Sequence, residues 1–401
     1  MIKLRPHALV PTLMILAIAV SEMATDIYVP SLPFLTEYFS TTPETIAATL
    51  GWNLWGLGIA SAFYGPLSDA YGRKITLITG LSIFTVASFA CGLVPSVEWL
   101  LFVRVLQGVG AGVSIVVGSA VIKDLFDGSH CARIMSTMGI AIAISPAIAP
   151  VIGGYVAEHY SWHWVFFIVG AVCAMVLLLI LMTMPETLKK QGRHPFSFSG
   201  SISNYFKLFS SLRFICYSMI SALTFAALWA YISSTPFYFI SVLGYSKIEY
   251  GYFQAVLVLT YILGSMYNRR LLYKFDLDTM LEWGLWLLVS SAVGLVAASY
   301  LFPNSASALC LVMSVNCFAM GIVFPNAVTR ALEIFSELNG ISSALITVLE
   351  MSAAGTMIWI TGLIYHSAML PVAILICITA ILGGFCFRVS RYRDQVAPRS
   401  T

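Results

Sequence analysis

Along the chain, runs of roughly 20 apolar residues alternate with short polar connections. At about 1.5 Å per residue, such a run crosses a hydrocarbon layer about 30 Å thick. The pattern predicts twelve helical spans, at 8–30, 46–67, 75–95, 98–122, 133–156, 163–184, 213–236, 250–268, 279–301, 305–329, 340–365 and 368–388. The runs are continuously apolar and lack the alternation of a membrane β-barrel strand, so helices are the way this backbone satisfies itself in lipid. The first run follows Lys3 and Arg5 as a signal peptide would. It has no small-residue cleavage site and encloses Glu22 and Asp26, so it is read as a span.

One polar interval is long. Residues 185–212 hold Pro185, Glu186, Lys189, Lys190, Gly192, Arg193 and Pro195 and then turn serine-rich. The interval separates six spans from six and predicts a bundle at 1–184, a linker at 185–212, and a second bundle with its tail at 213–401. The expected fold is an all-α membrane protein of twelve transmembrane helices in two six-helix bundles, the organisation that places a binding site near the bilayer midplane.

Charge tests this count. If Lys3 and Arg5 hold the amino terminus inside, the even-numbered connections and both termini are cytoplasmic. Of the 21 Lys and Arg, all but Lys247 and Arg104 then fall on that side. A wrong number of spans would scramble the asymmetry. Composition agrees: 59% of residues are hydrophobic, 10% are charged, and the mean hydropathy is +0.89. A soluble domain carries about 25% charged residues. The net charge of +3 reflects loops facing anionic lipid rather than a nucleic-acid surface. The eight cysteines and six histidines show no metal-ligand or disulfide spacing. The absence of an Asn-x-Ser/Thr sequon leans towards a bacterial inner membrane.

Four motifs carry a resemblance. Between spans 2 and 3 stands Gly65-Pro-Leu-Ser-Asp69-Ala-Tyr-Gly72-Arg73-Lys74. Span 4 holds Arg104-Val-Leu-Gln107-Gly108, and span 5 holds Ser145-Pro146-Ala-Ile-Ala149-Pro150-Val-Ile-Gly153-Gly154. Span 1 adds Thr25-Asp26-Ile-Tyr28-Val-Pro30-Ser-Leu-Pro33. Together these resemble the major facilitator superfamily over the whole chain, and within it the twelve-span drug:proton antiporters of the Bcr/CflA type. The resemblance implies a gating loop at Gly65, Asp69, Gly72, Arg73 and Lys74, in which Asp69 pairs with Arg73 or faces the amino end of span 11. It implies an antiporter motif at Pro146, Pro150, Gly153 and Gly154, residues that equally suit close packing and kinks. It also implies export driven by a proton gradient without cofactor or metal. The expected partners are a small-molecule substrate, protons and lipid, with no nucleic acid, for a monomer with both termini cytoplasmic.

The chemistry lies in charges that a bilayer excludes. The spans enclose Glu22, Asp26, Arg104 and Glu350, each costing at least about 2.5–3.5 kcal/mol near a helix centre unless partnered or wet. Glu22 and Asp26 are four residues apart, on one helical face. Counted from Pro30 they lie roughly 12 and 6 Å deep, and Arg104, counted from Glu98, roughly 9 Å. A cluster of the three is expected to couple a proton to a substrate; its alternative is a permanent ion pair that orients helices. Glu350, after the Gly340-Ile-Ser-Ser343-Ala344-Leu345 opening of span 11, stands where related exporters often have Gln. It reads as a substrate contact, a further protonation site, or a neutral acid bonded inside its bundle. Trp52, Asn53, Tyr231, Tyr261 and Asn316 are further substrate-binding candidates, since aromatics and a few amides suit flat amphipathic ligands; Trp55, Tyr238, Phe324 and Asn326 extend that set.

Other readings are narrower. The same fold exports dedicated metabolites or siderophores, and proton symport is disfavoured by the span 5 motif. An enzyme is disfavoured by the absence of G-x-S-x-G and H-E-x-x-H, and an ATP-driven pump by the absence of a phosphate-binding loop.

Overall fold

The computed structural model describes residues 6–188 and 205–396, with side chains from 9 to 188 and 205 to 392. Lys3, Arg5, Lys189, Lys190, Arg193 and Arg399, and with them most of the predicted linker, lie outside the described residues. The described chain is helical: α1 Pro6–Asp26, α2 Leu32–Tyr38, α3 Pro43–Tyr71, α4 Arg73–Cys91, α5 Val97–Leu125, α6 Gly128–His159, α7 His163–Thr183, α8 Leu212–Pro236, α9 Lys247–Leu271, α10 Leu277–Leu301, α11 Ala306–Ile334, α12 Asn339–Ile364 and α13 Leu370–Val396.

Eleven stretches are long and apolar enough to cross a membrane, the first running Leu9–Tyr38 through α1 and α2. The remaining predicted span, 250–268, is present as α9, but Gln254, Tyr261 and Asn268 break its apolar run. Those polar groups are satisfied internally: Gln254 donates to the Tyr250 hydroxyl at 2.7 Å, and Asn268 and Asn326 exchange amide hydrogen bonds at 3.2 and 2.9 Å. A membrane helix tolerates amides on these terms.

Helix starts follow capping chemistry. Thr42, Ser211, Asp276 and Ser305 each accept from the backbone N–H three residues on, supplying one of the acceptors that a first turn lacks. Gly72 ends α3 at φ 109°, a conformation that a side chain rarely adopts.

The chain divides into two compact units, Met1–Phe198 with Ser246–Ala255, and Ser199–Tyr245 with Val256–Thr401. In the first, α5 packs on α3 and α4 around Leu77, Leu81, Phe84, Val113, Val117 and Val121, all without solvent exposure. In the second, α8 packs against α11, α12 and α13. With lipid as solvent, such close fit replaces the hydrophobic effect as the attraction between helices.

Candidate functional site

The first unit builds its site at a break in span 1. Pro30 and Pro33 have no N–H to donate, and the regular helix ends ahead of them at Asp26. The last rung of α1 joins the Ile27 amide to the Met23 carbonyl at 2.9 Å, and a short 3-10 turn over Val29–Ser31 leads into α2. Carbonyls at such an end need outside donors. Arg104, fully buried on α5, supplies one: its Nη1 donates to the Ala24 carbonyl at 3.3 Å. Its Nε donates to the Thr49 carbonyl at 3.4 Å, and Nη1 also donates to the side-chain oxygen of Gln107. The guanidinium carbon lies 4.5 Å from the centroid of the Tyr28 ring, a cation–π geometry. Tyr28 in turn hydrogen-bonds the Thr49 hydroxyl, and Gln107 donates to Ser88 at 2.9 Å. One guanidinium nitrogen, Nη2, has no partner.

The acids stand beside this network rather than in it. Asp26 is the last residue of α1 and only 6% exposed, and among the described residues no hydrogen bond or ion pair reaches its carboxylate. Glu22 and Arg104 both act on it electrostatically through space. The three charges expected to cluster lie near one another, while the alternative, a permanent ion pair, is not formed: Arg104 reaches the depth between the two acids, at Ala24, and bonds to carbonyls and Gln107. The reference depth changes as well. The span ends at Tyr38 rather than near Pro30, so Asp26 lies roughly 18 Å from its outer end.

Several predicted binding residues prove to be braces. Asn53 accepts from Thr25 at 2.9 Å and donates to the Arg104 carbonyl at 3.0 Å, tying α1, α3 and α5 together. Asn316 donates to Ser291 at 3.0 Å and to the Leu288 carbonyl at 3.4 Å, tying α11 to α10. Trp52 is exposed on the surface of the first unit, edge-to-face with Trp55 at 5.3 Å. Tyr231 is buried on α8, and Tyr238 donates to the Pro303 carbonyl at 2.7 Å. Trp162 is only 2% exposed and packs among Tyr38, Phe39 and Phe166.

In the second unit, Glu350 sits eleven residues into α12, buried at 7% exposure. Ser221 of α8 and Tyr261 of α9 lie within electrostatic reach of its carboxyl group. Its Oε1 has no partner.

The loop motif closes on itself. Arg73 donates to Asp69 at 2.5 Å, to Ser68 at 2.6 Å and to Asp124 at 3.0 Å, joining the ends of α3, α4 and α5. Of the two partners implied for Asp69, Arg73 is thus one that it meets. The Glu186 carboxylate accepts from the Arg73 and Lys74 amides at 2.9 and 3.3 Å, where the positive end of α4 favours an anion. Lys74 Nζ donates to the Leu181 carbonyl at 3.2 Å. Gly65 lies inside α3 with nothing within 4 Å of where a Cβ would stand, so the reversal does not depend on it. In the span 5 motif, Pro146 and Pro150 lie within α6. A Cβ on Gly153 would stand 1.6 Å from the Ile27 carbonyl oxygen, so this glycine lets the span 1 break approach; Gly154 meets the Lys247 backbone in the same way.

Sequence reasoning passed over Gln107, Tyr28, Thr49, Asp124, Glu186 and Ser221. Gln107 was within reach, since it follows Arg104 by three residues on one face. Tyr28 stood in the span 1 motif without a role of its own, and Thr49, Asp124, Glu186 and Ser221 come from distant elements and carried no signal beyond their type.

A multidrug resistance protein MdtL of Shewanella oneidensis is 26% identical over 364 residues, 89% of this chain and 91% of its own. A bicyclomycin resistance protein homolog of Haemophilus influenzae is 24% identical over 324 residues, 80% of each chain. Among solved structures, an inward-facing bacterial homolog of the human lysosomal transporter Spinster superposes with a TM-score of 0.75 at 18% identity, covering 96% of this chain and 97% of its own. That likeness is one of fold. Residues 14–357 match the Major Facilitator Superfamily, and this multi-pass membrane chain belongs to that superfamily of transporters.

Proposed function

We propose that this chain is a proton-driven multidrug exporter of small amphipathic compounds. Its place is a bacterial inner membrane, with both termini cytoplasmic and the monomer as working unit. The observation that carries the reading is the Asp26 carboxylate, buried at a helix break with no bonded partner, beside Glu22 and a fully buried Arg104. A carboxylate left so is costly in lipid and is relieved by a proton or a cation. A proton on Asp26 removes its attraction for Arg104. That changes the load on a guanidinium tied to Ala24 beside the break and to Thr49 on α3, and so biases the arrangement of span 1. Glu22, one turn away, is the second proton site. The Arg73 cluster serves the gate and Gly153 the approach of span 5 to the break. The names of relatives, multidrug resistance and bicyclomycin resistance, support the substrate class.

The test is transport into inverted vesicles with an imposed pH gradient. Asp26→Asn is expected to abolish gradient-driven accumulation of ethidium while the protein still folds. Accumulation at the wild-type rate would sink the coupling role.

A further inference from the structure

The predicted spans of the second unit hold two acids, Glu282 near the start of α10 and Glu350 inside α12. The described Lys and Arg of the unit, such as Arg213, Arg269, Arg330 and Arg391, stand near helix ends. Arg330 pairs with Asp278 and Glu333, and Arg391 with Glu282. Among the described residues no ion pair reaches Glu350.

Its surroundings are polar and underused. Ser221 lies about 14 Å into α8 and Glu350 about 16 Å into α12, counted at about 1.5 Å per residue. These two helices pack together, and the Ser221 hydroxyl lies within reach of the Glu350 carboxyl group and 3.0 Å from the Ser218 carbonyl. Nearer the same ends of the helices, the hydroxyls of Ser218 and Ser342 are also buried without partners. A packed interior rarely leaves such groups unmet, because each costs about 1–3 kcal/mol. The Oε1 of this buried acid is left open. Tyr261 adds an aromatic ring within electrostatic reach, and a carboxylate beside a ring is a chemistry that holds organic cations.

Building on the reading of the chain as an exporter, we propose that Glu350 is the ion-pairing group for organic cations, with Tyr261 and Ser221 within reach of its carboxylate. Neutral amphipathic substrates bind without it. Glu350 thereby decides charge preference among substrates, a task separate from the proton step assigned to Asp26.

The test is equilibrium binding to purified protein in nanodiscs, without a gradient. The probes are tetraphenylphosphonium and ethidium as cations and triphenylphosphine oxide as a neutral compound of related shape. Glu350→Gln keeps the shape and removes the charge. It is expected to weaken both cations by roughly tenfold or more while leaving the neutral probe nearly unchanged. Glu350→Asp, which keeps the charge, is expected to retain most of the preference. Equal weakening of all three probes would assign Glu350 to structure and overturn the proposal, as would unchanged cation binding or a wild type that binds neither cation. Gradient-driven transport of the neutral probe separates the two readings. If Glu350→Gln loses that transport while binding cations normally, Glu350 is a proton site and this proposal fails. If the wild type moves no probe with the gradient, the coupling reading fails and the binding result stands alone.

Discussion

Arg104 lies over the ring of Tyr28, 4.5 Å from its centroid, and the Tyr28 hydroxyl is bonded to Thr49, whose carbonyl accepts from the same guanidinium. Arginine, backbone and ring thus form one closed circuit. Lysine is a point charge on a flexible stem and cannot serve Ala24, Thr49 and Gln107 together. Arg104→Lys is expected to cost about 1–3 kcal/mol through the acceptors it strands. Thermal unfolding in detergent measures this. Tyr28→Phe keeps the ring and should cost less, about 0.5–1.5 kcal/mol. The reverse ranking would mean that the circuit is held from Thr49 and not from Arg104.

Gly153 and Gly65 look alike as motif glycines but differ in their surroundings. A Cβ at Gly153 meets the Ile27 carbonyl oxygen at 1.6 Å, and a backbone atom at a helix break cannot step aside freely. Gly153→Ala is expected to destabilise by about 1–3 kcal/mol or more. Gly65→Ala has open space and gains helix propensity, so it should stabilise by up to about 1 kcal/mol. Comparing the two unfolding midpoints checks the contrast; similar losses would contradict it.

The reciprocal amide pair of Asn268 and Asn326 gives a double-mutant test. Replacing either by Leu strands the other's buried donor and acceptor, at about 1–3 kcal/mol. Replacing both should be close to neutral, because no unmet polar group remains. Additive losses in the double variant would show that the pair does not act as a unit.

Asp276 caps α10 outside the membrane. The Thr279 hydroxyl at 2.5 Å, helped by the Thr279 amide at 3.3 Å, holds its carboxyl below the ordinary value of 3.8. A group with a depressed folded-state pKa lends its stability fully above the unfolded value and loses it as pH falls through the folded one. Asp276→Ala is expected to cost about 0.5–2 kcal/mol near neutral pH. Unfolding measured against pH should show that difference shrinking only below 3.8. A gap that closed at higher pH would assign the effect to another group.

How much of the site was legible follows from how local each feature is. The sequence pointed to Asp26 and Arg104, because a charge in an apolar run is visible without a fold. Their relationship was not visible. Depth along two separate helices placed Arg104 level with the acids, but Ala24, Thr49, Gln107 and Tyr28 claimed the guanidinium. Backbone carbonyls have no signature in a sequence, so depth along the helices could not show which groups the guanidinium bonds. That Asn53 and Asn316 brace helices was hidden for the same reason: an amide type says nothing of which bonds it makes.

By itself the sequence determined the helices, their number, the polar interval between the halves and the loop motif. Each rests on periodicity, length or adjacency, which survive projection onto one dimension. Tertiary structure alone decided that span 1 breaks after Asp26 and continues to Tyr38, that Arg73 reaches Asp124, and that Glu350 is buried with one oxygen unmet. Those outcomes depend on which helix faces meet and on which donors arrive first at an unsatisfied acceptor. That competition is settled only when residues far apart in the chain are packed against one another.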